Sequence, residues 1–166
     1  MAESISYSPN TSSQKMLVFG INSQETESIN SFDAIVGPDW RLEMLSSLNS
    51  IRAKAGVPPM TLNANVNGVA QSHSNYQAST KQMTHNDASG SLGQRVTDAG
   101  ISWRMVAENV ASGSQTVPDV ISLWANSPGH YANMIGNYTL AGFGLATDGS
   151  MPNKGTTYWT QCFVYP

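Results

Sequence analysis

The stretch WANSPGHYANM, residues 124–134, carries the strongest structural signal in the sequence. A predicted helix ends in it at Pro128-Gly129, because proline cannot continue a helix and glycine adopts turn conformations readily. His130 follows directly, so local backbone geometry sets the direction of its imidazole. The side chains that could meet it, His85 and Glu108, are distant in sequence. Three polar residues on separate loops predict one composite site.

The composition fits one domain with a substantial core. Apolar residues make up 40% of the 166 residues, and charged residues only 11%, with a net charge of −3. A nucleic-acid partner is therefore not expected, since such proteins present clustered positive charge. No apolar run approaches the roughly 20 residues of a transmembrane helix, so no membrane span is expected. A surface rich in Ser, Asn, Thr and Gln is typical of extracellular proteins.

The apolar run at residues 16–21 is too short for the core of a signal peptide. We therefore interpret the chain as the mature form of a secreted protein with an added Met1. Residues 1–38 are predicted to be an N-terminal extension, irregular or with one strand. The domain proper is predicted to span residues 39–166.

Apolar periodicity predicts helices first and strands last along this domain. The predicted helices cover residues 40–55, with Asp39 as cap, then 63–81, 91–99, and 116 to the break at Pro128. Residues 101–112 are predicted to be irregular or a strand, and residues 138–147 and 157–165 to form an antiparallel hairpin. Such an order predicts an α+β fold in which helices cover an antiparallel sheet.

Several residues are predicted to serve the core. Cys162, the one cysteine, lies in an apolar run and is expected to be a buried thiol. His73 falls on the apolar stripe of the second helix, where a histidine bonded to backbone is favoured over a role in lining the site. Trp124 and Trp159 are expected in the core, whereas Trp103 is a candidate for the border of the cleft.

Two neutral imidazoles that converge on one point can bind a divalent metal, zinc most naturally. His85 and His130 are the candidates for such a pair. Glu108 has three open roles: a third ligand, an acceptor that orients an imidazole, or a general base toward bound water. The sequence contains no HExxH motif, no paired CxxC and no phosphate-binding loop.

Several motifs, taken in order, resemble those of the CAP superfamily, which comprises the cysteine-rich secretory, antigen 5 and pathogenesis-related 1 proteins. They are LNANVNGVAQSHS (62–74), THND (84–87), GQRVTDAGISW (93–103), AENV (107–110), WANSPGHYANM (124–134) and YWTQCF (158–163). The resemblance extends from Leu42 to Tyr165 and is closest to the disulfide-free CAP domains of bacteria and fungi. Residues 1–38 have no counterpart in it.

The resemblance implies an α-β-α sandwich with a central cleft that holds two histidines and two acids. His85, Glu108 and His130 match three of these positions. The fourth position is Ser127, and a hydroxyl can neither carry a carboxylate's charge nor act as a general base near neutral pH. The two histidines, with Glu108, could still hold zinc or magnesium, with less negative charge and lower affinity.

The resemblance favours a secreted, non-enzymatic binding protein for a small apolar ligand such as a sterol or fatty acid, with a role in defence, virulence or lipid export. One alternative is a metal-dependent hydrolase or peptidase, in which His85 and His130 bind the metal and Glu108 activates water. Another is a signalling or scaffold module that a protein partner recognises through loops such as 147–157.

Overall fold

The computed structural model describes residues 40–149 and 155–166. The predicted extension, residues 1–38, and the predicted cap Asp39 lie outside this part of the chain. The elements follow in the order α1 (Trp40–Lys54), β1 (Thr61–Leu62), α2 (Ala64–Thr80), α3 (Leu92–Asp98), β2 (Met105–Ser112), α4 (Val117–Ala125), α5 (Pro128–Met134), β3 (Leu140–Thr147) and β4 (Thr157–Tyr165).

The strands form one sheet in the order β1-β3-β4-β2. β4 pairs antiparallel with β3 on one side and with β2 on the other, while the short β1 pairs parallel with β3. The predicted antiparallel hairpin is therefore confirmed, and β4 has the predicted bounds. β2 lies at an edge of the sheet, which places its side chains beside the helix ends and loops that reach that edge.

Helices cover both faces of the sheet. Side chains of α1, α4 and α5 share one hydrophobic cluster with the inward residues of β2, β3 and β4. Side chains of α2 and α3 share a second cluster with Cys162 and Val164 on the other face of β4. The predicted α-β-α sandwich is confirmed. No helix in the described ranges combines the length and apolarity that crossing a bilayer requires.

The predicted core residues are largely confirmed. Trp124, Trp159, Cys162 and His73 are all fully buried. Tyr76, on the same helix as His73, is only half-buried. The helix instead turns Ser74 and Gln77 toward β4, where both side chains donate to Oγ1 of Thr160.

The prediction of a simple break at Pro128 is wrong in one respect: a short helix, α5, begins there. Proline at the first position of a helix needs no N–H donor and has a suitable φ, so it starts a helix as readily as it ends one. His130 is therefore the third residue of α5 and does not lie in a loop. Its direction is set by a helical turn.

Gly144 of β3 allows the backbone of α2 to come into contact with the backbone of the sheet. A Cβ at this position would lie 2.2 Å from the carbonyl oxygen of Ala70, closer than any real contact. The close backbone approach expected of a glycine within a strand is thus found here. This approach sets the depth at which α2 lies on the sheet.

We expect Gly144→Ala to lower the free energy of unfolding by about 1–3 kcal/mol or more, because helix backbone cannot give way as a side chain can. Gly68→Ala is the matched control, since a Cβ at Gly68 meets nothing within 4 Å. The control should raise stability by about 0.5–1 kcal/mol through helix propensity. Urea denaturation of both variants measures their free energies of unfolding. Equal stabilities of the two variants would contradict the close contact of α2 with the sheet at Gly144.

Candidate functional site

The carboxylate of Glu108, on the edge strand β2, is the centre of the candidate site. Its side chain is 6% exposed. Oε1 lies 3.2 Å from Nδ1 of His85, and Oε2 accepts a hydrogen bond from Nη2 of Arg95 on α3. Nε2 of His73 is 4.0 Å from the same Oε2. Both carboxylate oxygens are therefore engaged by cationic or imidazole groups.

His73 fixes the loop that carries His85. Its Nε2 donates to the carbonyl oxygen of Thr84 at 2.8 Å, and its Nδ1 lies 2.6 Å from Oδ2 of Asp87. The two ring nitrogens thus hold the loop at two points, Thr84 and Asp87. Burial raises the pKa of Asp87, but hydrogen bonds from His73 and Ser89 outweigh it and lower the pKa overall. The interpretation of His73 as a core residue bonded to backbone is confirmed, and the ring also braces the site.

Ser127 holds the second histidine. Its Oγ lies 2.8 Å from Nδ1 of His130. Ser127 occupies the N-cap of α5, where a serine side chain ordinarily accepts from a helix N–H, yet it makes no capping bond. The hydroxyl is used for the imidazole instead. Ser127 is therefore a positioning residue for His130.

Asn109 connects β2 to the helix that carries His130. Its Nδ2 donates to the carbonyl oxygen of His130 at 3.1 Å, and its Oδ1 accepts from Nδ2 of Asn133 at 2.8 Å. The predicted structural role of this amide is confirmed. Neighbouring residues on a strand point to opposite faces, so Glu108 and Asn109 hold partners on both sides of the sheet edge.

The two histidines thus reach the edge of β2 from opposite faces. Burial is the main cause that lowers the pKa of His130, and a positive charge on His85 acts in the same direction. The His85 side chain is 62% exposed, so the site opens to solvent on that side. Trp103, the candidate for the cleft border, packs on α3 instead, where its Nε1 donates to Gly93 and Thr97.

The donor set at this edge fits a metal only in part. Each imidazole has its Nδ1 engaged by another side chain, which leaves Nε2 of both His85 and His130 for a ligand. Within residues 40–149 and 155–166, no three His, Cys, Asp or Glu side chains are placed to hold one ion together. A metal bound here would have two protein ligands and complete its shell with water.

Sequence reasoning missed Arg95 and Asp87 as parts of the site. Both lie in the motifs that carry the family resemblance, GQRVTDAGISW and THND. Nothing in the local sequence indicates that Arg95 pairs with Glu108, thirteen residues away. A buried carboxylate on an edge strand needs a cationic partner, and this requirement is the signal that could have indicated Arg95.

Comparison with known proteins identifies this arrangement. Residues 45–163 match the model of the Cysteine-rich secretory protein family, also called CAP. The chain belongs to this family. It is 28% identical over 127 residues to the uncharacterized protein YkwD of Bacillus subtilis, a match that covers 75% of this chain and 47% of YkwD. The chain therefore spans about half the length of this CAP relative.

Solved structures share the CAP fold at low identity. An outer surface protein from Borrelia burgdorferi has a TM-score of 0.66 at 19% identity, with 76% of this chain and 91% of that chain covered. An extracellular protein with an SCP domain from Bacillus anthracis has a TM-score of 0.63 at 23% identity, covering 75% and 40%. A cysteine-rich secretory protein from Staphylococcus aureus has a TM-score of 0.61 at 21% identity, covering 78% and 39%.

We expect His130 to make stability fall as the solution becomes acidic. Because its pKa is lowered in the folded state, the unfolded chain takes up the proton first as the pH drops through about 6.5. The contribution of His130 to stability is therefore lost between the unfolded-state pKa and the lower folded-state pKa. Below the folded-state pKa no further loss occurs. His130→Gln should therefore show a smaller drop in melting temperature between pH 7.5 and 5.5, measured with a chelator present. An unchanged drop would contradict the burial of this imidazole.

Proposed function

We propose that this CAP domain is an extracellular, non-enzymatic binding protein that takes a small apolar ligand such as a sterol or fatty acid. The extracellular location is supported by the relatives described as extracellular and outer surface proteins. The ligand class is supported by an open apolar groove on α1. This groove is the single observation that carries the proposal.

The groove on α1 has a volume of about 550 Å³ and is lined by Leu42, Leu45, Ser46 and Asn49. Small-molecule sites commonly enclose about 300–1,000 Å³ with mostly apolar walls. Leu42 is 41% exposed, and Leu123, on the packed neighbour helix α4, is 51% exposed. The exposed Leu42 side chain in the wall of this groove favours an apolar ligand over a polar one.

The geometry of Glu108 disfavours the alternative of a metal-dependent hydrolase. A general base needs a free lone pair directed at the water that it activates. Each Glu108 oxygen keeps a lone pair, but one oxygen faces His85 and the other accepts from the buried Arg95, so these contacts hold the carboxylate in place. Ser127, which bonds to His130, is not a carboxylate and cannot take over that role.

The alternative of a protein-interaction module depends on the loop at residues 147–157. Residues 150–154 of that loop lie outside the described part of the chain. The groove on α1 is a concave surface with apolar walls, which suits a small ligand better than a flat protein partner.

We expect saturable binding of labelled cholesterol or palmitate. Leu42→Glu should weaken this binding at least tenfold, because an apolar ligand would have to desolvate a carboxylate in the groove. Met105→Glu is the matched control: Met105 is also partly exposed, at 38%, but lies at the start of β2. It should retain binding. Absence of saturable binding to both lipids, or equal loss in the two variants, would contradict the proposal.

We also propose that Nε2 of His85 and Nε2 of His130 hold a divalent ion, zinc before magnesium, with low affinity. Neutral imidazole is a zinc ligand, whereas magnesium prefers oxygen. When bound, zinc would supply a positive charge and a Lewis acid at the sheet edge. Glu108 and Ser127 would orient the two rings through their Nδ1 atoms.

We expect Ser127→Asp to tighten zinc binding by about 10–100-fold, since a carboxylate on Nδ1 makes an imidazole a better ligand. Aspartate is also tolerated at the N-cap of α5. Ser127→Ala should weaken binding, and the shift of melting temperature with added zinc measures all three proteins. Identical zinc responses in the three proteins would exclude His130 as a ligand.

A further inference from the structure

A second groove lies between α2 and α3, apart from the two histidines and from the groove on α1. Its volume is about 400 Å³, and its lining includes Gly68, Val69, Asp87, Arg95 and Asp98. Neither His85 nor His130 contributes to it. Such a volume suits a small organic molecule.

Arg95 lines this groove with hydrogen-bonding capacity left over. Its side chain is 5% exposed, and its Nη2 is taken by Glu108. Within the described part of the chain, its buried Nε and Nη1 have no hydrogen-bond partner. Buried donors without partners destabilise the folded state, so native structures nearly always satisfy them. An acceptor supplied by a molecule in the groove would remove this cost.

Gly68 is the second indication of an occupant. Glycine in the middle of a helix lowers stability and is retained where something approaches the backbone closely. A Cβ at Gly68 would meet no atom within 4 Å, so packing among residues 40–149 and 155–166 does not explain the residue. The space that it leaves belongs to the groove. A bound molecule lying on the backbone of α2 accounts for it.

The charges around the groove exclude a simple anion site. The positive charge of Arg95 is already paired with Glu108, and Asp87 already bonds to His73. Asp98 adds a further carboxylate, whose Oδ1 accepts from the uncharged Gln94 amide. The occupant should therefore be uncharged, with an acceptor for Arg95 and hydroxyl donors for the carboxylates.

We propose that the groove between α2 and α3 binds a neutral saccharide that carries an acylamino group. The amide carbonyl would accept from Arg95, and the acyl methyl would lie against Val69 and the other small apolar residues of the groove. The sugar hydroxyls would donate to Asp98 and Asp87, whose oxygens retain acceptor capacity. This inference is independent of the proposed lipid groove, because the two sites share no lining residue.

The test is an NMR titration of the isotope-labelled full chain with N-acetylglucosamine. We expect saturable shifts of amide signals of α2 and α3, with an affinity at least fivefold stronger than that for glucose, which lacks the acyl group. Gly68→Leu should weaken binding at least tenfold by filling the groove. Ser79→Leu, an exposed position three turns further along α2, is the matched control and should bind as the parent chain does.

Three results would overturn the proposal. The first is no saturable shift with N-acetylglucosamine, and the second is equal affinity in the Gly68→Leu and parent proteins. The third is inorganic phosphate binding at the same amides more tightly than the sugar, which would make the groove an anion site. Amide spectra of both leucine variants show whether each has folded, so loss of the fold cannot be mistaken for loss of the site.

Discussion

The ion pair between Glu108 and Arg95 is the interaction on which the site depends. A carboxylate that is 6% exposed requires a buried cation and further hydrogen bonds to remain charged. Arg95 brings α3 to the edge strand β2, while His73 holds the loop of His85 against the same oxygens. One buried charge therefore positions a helix, a loop and an exposed imidazole. The same ties leave this acid little freedom to act on a substrate.

The second histidine is arranged differently, and the contrast bears on function. Ser127 gives up its capping bond to hold His130, and burial lowers the pKa of that imidazole. The result is two oriented rings with one carboxylate that is already neutralised. The zinc site proposed at this edge depends on these two rings, because Ser127 supplies no carboxylate. The open apolar groove on α1 therefore carries the proposal of a binding protein, and the polar edge becomes a secondary feature.

Local sequence signals predicted those features whose causes are local. The strand at residues 157–165 and the position of His73 on an apolar helical stripe were both predicted from the sequence, and both are confirmed. The helix α5 was missed, because Pro128 stops one helix and starts another with the same geometry. Arg95 was missed because a pairing across the tertiary structure leaves no spacing pattern in the sequence. The open space beside Gly68 likewise has no signature in the sequence.

The most direct test of the central claim compares metal-supplemented peptide hydrolysis by the parent chain and by Glu108→Gln. The account holds that Glu108 orients His85 and braces Arg95 without activating water. It predicts no zinc-stimulated turnover above background in either protein. Zinc-dependent turnover by the parent chain that Glu108→Gln abolishes, while its zinc binding is retained, would contradict the account and establish a hydrolase.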